Sequence, residues 1–314
     1  MKSDVVIVNW NSGCQLQHCI DSIWAFGGRH VEKLIVVDNG STDGSADFAI
    51  GDPNIDLVLL GENTGFASAC NRGAARGSSS FVLFLNPDAR LLEQTMSQID
   101  GMTSDPSRVR VGVFGARLVH EDGSTQRSCA RFPGAKNFVA SSFGISRVLK
   151  LAGMHMHDWD HADTRLVDHV IGAFYLIRRE LFERLGGFDE RFFVYLEDLD
   201  LSLRVHNENY QVLYLADVVA FHKGGGVSER VKAHRLFYSL RSRIQYAFKH
   251  FSAVDAILVA ASTLFVEPFS RLVLAISHGS LQEVIDLCRG YRMLLGWAIS
   301  AVWSPRSVIS DRML

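Results

Sequence analysis

Leu34-Ile35-Val36-Val37-Asp38-Asn39-Gly40-Ser41-Thr42-Asp43-Gly44 is the stretch that decides how this chain folds. Its four consecutive apolar residues suit a strand buried on both faces, and they break at once into acids, amides, hydroxyls and glycine. A strand that ends this way delivers polar groups to one edge of a sheet. Asp38 is placed to accept from a nucleobase N–H or a ribose hydroxyl, whereas Ser41, Thr42 and Asp43 suit the capping of a following helix.

The same unit recurs outward along the chain. Val5 to Val8 forms a first strand, and Leu16, Cys19, Ile20, Ile23 and Trp24 follow as one apolar helix face. A third strand near Leu57 to Leu60 leads into Gly61-Glu62-Asn63-Thr64-Gly65-Phe66, a glycine-rich helix start that lets backbone approach a ligand, with Arg72 as a candidate phosphate contact. Phe81 to Leu85 is a fourth strand and ends at Asn86-Pro87-Asp88. Strands alternating with helices predict an α/β fold with a Rossmann-like sheet flanked by helices, whose ligands bind outside the carboxyl ends of the strands. An Asp in a turn is ordinarily a turn residue only. At the carboxyl end of a buried strand, Asp88 is also where Mg2+ or Mn2+ could bridge a carboxylate and a diphosphate.

Val109 to Val119 and Val167 to Ile177 supply further strands. Between them, Ser124 to Arg165 lacks periodicity and holds His155-Met156-His157-Asp158-Trp159-Asp160-His161. That run suits a metal cluster or a solvated loop, and its irregular spacing favours a loop on the acceptor side. After the strand Val212 to Leu215, His222-Lys223-Gly224-Gly225-Gly226-Val227-Ser228 offers a histidine that can approach a metal or a ligand, or a glycine hinge beside a solvated histidine.

Phe193-Val194-Tyr195-Leu196-Glu197-Asp198-Leu199-Asp200-Leu201-Ser202-Leu203-Arg204 sets three carboxylates among apolar residues just after Gly186-Gly187-Phe188-Asp189. Leu196, Leu199 and Leu203 are spaced as a buried helical stripe, and Asp200 can pair with Arg204 four residues on. Glu197 and Asp198 fall at the helix start, where a carboxylate caps free N–H groups or, at a cleft edge, takes a proton from an attacking hydroxyl. The helix alone leaves both readings open.

Composition sets the outer bounds. With 314 residues, 47% hydrophobic and 21% charged, the chain has the balance of a folded protein, and a net charge of -2 argues against nucleic-acid binding. Its five cysteines are odd in number and lack the CxxC pairs of a zinc site, as expected of reduced cytoplasmic thiols. The N-terminal apolar run is too short for a signal peptide, so no targeting segment is expected. From Ser228 onward long helices follow. Ala256 to Val266 is apolar, Glu267-Pro268 interrupts, and Phe269 to Ile276 resumes around Arg271, so neither run reaches the ~18 uncharged residues of a membrane span. With Arg289, Arg292, Trp297, Trp303 and Arg306, this tail suits helices lying on a membrane surface, or a cap packed on the domain or on a second subunit. A catalytic domain over residues 1–228 and a helical region over 229–314 are the expected divisions.

Taken in order, Val6-Ile7-Val8-Asn9-Trp10-Asn11, Val37 to Asp43, Asn63-Thr64-Gly65-Phe66, Asn86-Pro87-Asp88, Gly186-Gly187-Phe188-Asp189 with Glu197-Asp198, and His222 resemble the inverting glycosyltransferases of family 2. The resemblance spans Val5 to Ser228 and implies the GT-A fold, a central mixed sheet flanked by helices. Asn-Pro-Asp in place of Asp-x-Asp, and Phe188-Asp189-Glu190-Arg191-Phe192-Phe193 before Tyr195-Leu196-Glu197-Asp198, look like the bacterial rhamnosyltransferase branch. It implies donor contacts from Asn9, Asn11, Asp38, Asn63, Asn86 and Asp88, a divalent metal (Mg2+ or Mn2+) on Asp88 and His222, Asp198 as general base, and Glu197 on the acceptor side. The implied donor is a nucleotide sugar, dTDP-L-rhamnose. The implied acceptor is a polysaccharide or polyprenyl-diphosphate-linked glycan, met at the inner face of the cytoplasmic membrane. Asn86 departs from the family's usual first Asp, which implies weaker metal affinity. A nucleotidyltransferase would carry a basic residue in the loop after the first strand, and Asn9-Trp10-Asn11-Ser12-Gly13 has none. A non-catalytic sugar-nucleotide scaffold would have no need of the Glu197-Asp198 pair.

Overall fold

The computed structural model describes residues 2–144, 156, 158–224 and 231–303. It divides into two compact units: Met1–Phe132, His155–Asp189 and Glu197–Val227 make the first, and Pro133–Met154, Glu190–Leu196 and Ser228–Leu314 the second. Along the chain run β1 (Ser3–Asn9), α1 (Gln15–Phe26), β2 (Val31–Asp38), β3 (Ile55–Leu59), α2 (Phe66–Ala74), β4 (Phe81–Leu85), β5 (Ala89–Leu91), α3 (Thr95–Ser104), β6 (Val111–Val119) and β7 (Cys129–Ala130). Next come α4 (Ala135–Ser142), β8 (Arg165–Val167), β9 (His169–Val170), β10 (Phe174–Arg178), α5 (Arg179–Arg184), α6 (Glu197–Asn207) and β11 (Gln211–His222). Three long helices close the chain: α7 (Lys232–His250), α8 (Ala253–Ser277) and α9 (Leu281–Trp303).

In the first unit the main sheet has the order β3-β2-β1-β4-β10-β6-β11-β5, with β8 also paired to β11. The strands β1 to β4 are mutually parallel, as their alternation with helices predicts. Antiparallel β10 then makes the sheet mixed. Side chains alternate across β1: Val5 and Ile7 pack with Leu16, Ile20 and Ile23 of α1, while Val6 and Val8 pack with Ala67 and Cys70 of α2. At the opposite end from the polar clusters, Arg179 donates to Asp4 at 2.8 Å, and Asp4 also accepts from the backbone and hydroxyl of Ser79. This buried ion pair ties α5 to the start of β1.

Three local expectations are corrected. The segment Val167 to Ile177 is not one strand, because its backbone donors leave the sheet: Ile171 bonds to Ser128 and Gly172 to the Asp198 carboxylate. The turn after Gly44 leads only to a short 3-10 helix, Asp47–Ala49, whose cap position is Ala46, so Ser41, Thr42 and Asp43 do not cap it. In α6 the buried residues include Leu199, Leu201 and Val205, whereas Leu203 is half-buried. Leu196 precedes the helix and, with Tyr195, holds a left-handed backbone (φ 66° and 70°) that the sequence had no glycine to announce.

In the second unit Leu240 and Ile244 of α7 form a core with Leu287, Tyr291 and Leu294 of α9. Glu267-Pro268 does not interrupt α8, contrary to the sequence expectation. A π-helical turn, Ser262–Val266, precedes it and resets the hydrogen-bond register, so the proline starts the next segment, where its missing N–H is not needed. The result is a 25-residue helix long and apolar enough to cross a membrane by length and composition. The side chains of residues 301–303, and Arg306, lie outside what is described, as do His155, His157 and the segment 225–230.

Candidate active site

The polar ends of β1, β2 and β3 are knitted into one shelf. Asn9 is fully buried and donates its amide to Asp38 Oδ1 (2.8 Å) and to the hydroxyls of Ser41 and Ser45. The second oxygen of Asp38 accepts from the Ser41 backbone at 3.1 Å. Asn11 crosses the same gap, with its side-chain oxygen accepting from the Thr42 backbone at 2.8 Å. One loop further, Asn39 donates to Asn63 Oδ1 (3.0 Å) and accepts from the Thr64 backbone (2.8 Å). Gly40 is required here: its φ is +76°, and a Cβ would stand 2.7 Å from the Glu62 backbone. Asn9 and Asp38 therefore build the shelf from beneath, and half-buried Asn11, Ser41 and Asn63 form its reachable rim.

Asn86, Pro87 and Asp88 follow β4 directly, with the Asn86 N–H donating to Ala173 at 3.1 Å. At the end of β11, His222 Nε2 lies 3.3 Å from Asp88 Oδ1. Its other ring nitrogen, Nδ1, is 2.7 Å from Gln126 Oε1, an oxygen that can only accept. Nδ1 therefore carries the proton in the neutral ring, and the Nε2 lone pair faces a carboxylate. Two acceptors at that distance need a proton or a cation between them. An oxygen and an imidazole nitrogen fit Mg2+ or Mn2+ when substrate phosphates supply further ligands, as such ions commonly bind. Among the described residues no group of three or more His, Cys, Asp or Glu forms a cage of protein ligands alone.

Asp198 stands in the first turn of α6. Its Oδ2 accepts from the Gly172 N–H at 2.7 Å and its Oδ1 from the Leu199 N–H at 2.8 Å. A side chain at residue 172 would bring a Cβ within 3.3 Å of that carboxylate, so glycine permits the approach. The neighbouring Ala173 carbonyl holds Asn86, so one short segment places both the Asp88 turn and Asp198. Behind Asp198, His169 Nε2 lies 3.7 Å from Oδ2, its Nδ1 reaches Ser202 at 3.1 Å, and Ser202 meets the Tyr175 hydroxyl at 3.1 Å. His169, Ser202, Tyr175, Gly172 and Gln126 went unread in the sequence, because each belongs to the site only through contacts across distant elements.

The three acids now differ. Asp200 is wholly buried and bound by Arg204, which also donates to the Leu185 and Gly187 carbonyls and so fixes the glycine turn before α6. Glu197 is buried with one carboxyl oxygen unpartnered. Burial first, then the charges of Asp198 and Asp200, raise its carboxyl well above the usual carboxylate range. Asp198 keeps an opening to solvent, with 18% of its side chain exposed.

Arg72, the candidate phosphate contact, lies exposed in the last turn of α2. The described part of the histidine-rich run is a loop, as expected, but it is not solvated throughout: Asp158 and Asp160 are exposed, whereas Trp159 and His161 are buried and stacked, with Arg165 over Trp159. Aromatic packing outweighed its polar composition.

Known proteins resemble this chain in sequence and in fold. The family model described as glycosyl transferase family 2 matches residues 4–186. The N-acetylglucosaminyl-diphospho-decaprenol L-rhamnosyltransferase of Mycobacterium tuberculosis (strain ATCC 25618 / H37Rv) is 29% identical over 264 residues, covering 78% of this chain and 84% of that protein. The O-antigen chain rhamnosyltransferase RfbN of Salmonella typhimurium is 26% identical over 226 residues, covering 71% and 66%. Among solved structures, the mannosyltransferase PcManGT from Pyrobaculum calidifontis, in complex with GDP-Man and Mn2+, superposes with a TM-score of 0.53 at 20% identity, covering 96% of this chain and 87% of that one.

Proposed function

The chain belongs to glycosyl transferase family 2 and has the GT-A architecture, and on that premise we propose that this glycosyltransferase moves L-rhamnose from dTDP-L-rhamnose to a hydroxyl of a lipid-linked glycan, with inversion, at the cytoplasmic face of the membrane. The observation that carries the reading is the joint placement of Asp88 and Asp198 by residues 172 and 173. One carboxylate serves the leaving diphosphate and the other the incoming hydroxyl. The relatives, whose names specify rhamnosyl transfer and, in one case, a diphospho-decaprenol acceptor, support the choice of sugar and acceptor.

Asp198 accepts the proton of the acceptor hydroxyl as its oxygen attacks the anomeric carbon. The new C–O bond forms in line with the bond breaking to the nucleoside diphosphate, so no covalent enzyme intermediate is needed. Asp88 and His222, with the neutral Asn86 at the rim, would hold the divalent metal, which when bound neutralises charge on the diphosphate. Asn11 and Asn63 meet the nucleotide from the shelf that Asn9 and Asp38 support. Glu197, its carboxyl raised by burial, walls the acceptor side.

A thermal-shift panel of nucleotide sugars, with and without Mg2+ or Mn2+, tests the donor: selective stabilisation by dTDP-L-rhamnose is expected, and preference for another donor would overturn that choice. Asp198→Asn should lower turnover by at least ~100-fold with donor binding nearly intact. Near-normal turnover would remove Asp198 from the role.

A further inference from the structure

On α8 the residues Val254, Ile257, Leu258, Phe265, Phe269, Val273 and Ile276 are each more than half exposed. Apart from the adjacent pair Ile257 and Leu258, they recur three, four or seven residues apart, and with the π-helical turn between Leu258 and Phe269 this lines them along one side of the helix. At 1.5 Å per residue the stripe is about 34 Å long. The polar residues in the middle of α8 turn the other way. Glu267 is buried and bound by Arg243 of α7 and by Arg271, Thr263 and Ser262 are buried, and Ser270 donates to the Ser142 carbonyl.

Three occupants compete for this face. A helix that spanned the bilayer would carry its other side into hydrocarbon too, and with it Glu267, Arg271 and the Arg243 partner on α7; each charge at bilayer depth costs roughly 3 kcal/mol or more. A protein partner would bring about one hydrogen bond per 100–200 Å² of contact, and none of the seven exposed residues has a polar side-chain atom to answer it. A lipid surface needs none. The exposed side of α9 adds Arg289 and Arg292 among Leu281, Leu295 and Ile299, a basic and apolar mixture suited to anionic headgroups.

We propose that α8 is an in-plane membrane anchor, its apolar stripe sunk to the acyl boundary of an anionic bilayer while its Glu267 side stays on the protein. The proposal rests on the transferase reading in one respect, that a lipid-linked acceptor lies in the same bilayer. Flotation of the full chain with phosphatidylethanolamine vesicles containing phosphatidylglycerol tests it. The wild-type chain should float and be released by alkaline carbonate. The F265S/F269S/V273S variant should bind on the order of 100-fold more weakly. F265L/F269L should float as wild type does, which separates loss of the stripe from loss of the fold. Wild-type protein that fails to float, serine-variant protein that floats equally, or resistance to carbonate would each overturn the anchor. So would a wild-type dimer that the serine variant dissolves without any vesicle binding. Turnover of dTDP-L-rhamnose with a water-soluble acceptor keeps the two readings apart: the serine variant should retain it, and its absence from wild type would count against the transferase reading alone.

Discussion

His169 Nε2 stands 3.7 Å from Asp198 Oδ2, and the same ring is fixed from behind by Ser202, which in turn meets Tyr175. All three supporting side chains are buried. With Asp198 as the base, buried His169 would act through it as a positioning residue. His169→Ala should therefore lower kcat by about tenfold and leave the donor KM nearly unchanged, the pattern of an interaction that matters in the transition state. His169→Asn, which can keep a bond to Ser202, should recover part of the loss. Steady-state kinetics on both variants decide: an equal rise in KM with kcat intact would make His169 a binding or folding residue.

Gln126 holds His222 in the tautomer that turns Nε2 toward Asp88. Outer partners of this kind typically account for 10–100-fold in metal affinity. Asp88→Ala should abolish the metal-dependent part of donor binding, and Gln126→Leu should weaken it by about tenfold. Asn86→Asp should tighten it by adding an anionic oxygen at the rim. Calorimetry with donor in the presence and absence of Mn2+ measures all three, and donor binding that ignores the metal in the wild-type chain would refute the assignment.

Stability has a separate anchor at the far end of the sheet. Asp4 is 1% exposed and its oxygens are taken by Arg179 and Ser79. Arg179→Met leaves that carboxylate without its cation, a change that costs about 3–5 kcal/mol in buried pairs. The urea midpoint should fall accordingly. D4N/R179M should lose less than Arg179→Met alone, because no unpaired charge remains; equal losses would mean the pair contributes through packing only.

How much of this was legible depended on whether a signal was local. The apolar runs of β1, β2 and β4 and the polar clusters that follow them could be read directly, since burial on both faces leaves an uninterrupted apolar word. Asp88 could be named because it follows a strand and His222 because glycines follow it, although the strand was read only to Leu215 and runs on to His222; Gln126, which contacts His222, comes from a stretch without periodicity. The helix alone did not separate Asp198 from Glu197, and only the family resemblance gave them different roles. What parts them is Gly172, 26 residues earlier, which holds one oxygen of Asp198 and leaves it partly open to solvent, while Glu197 is sealed in. The tail misled for the opposite reason: Glu267-Pro268 looks like a break, and only the π-helical turn before it and the two arginines around Glu267 make the helix continuous.

Glu197 offers a test of that separation through pH. Its carboxyl is raised by burial and by neighbouring carboxylates, so the folded chain keeps a proton that the unfolded chain releases near an ordinary Glu value of about 4.3. Where the folded state binds the extra proton, stability falls as pH rises, from that ordinary value up to the folded-state value, and then levels off. Glu197→Gln has no proton to lose. Its melting temperature should match wild type in acid and exceed it by a margin that grows with pH and then plateaus, as scanning fluorimetry in a series of buffers can record. A carboxylate that was ionised and held by donors would give the opposite slope, with the glutamine variant losing ground as pH rises. Activity supplies the second half of the argument: Glu197→Gln should keep kcat within about tenfold of wild type, whereas a loss as large as that of Asp198→Asn would move the general base to Glu197.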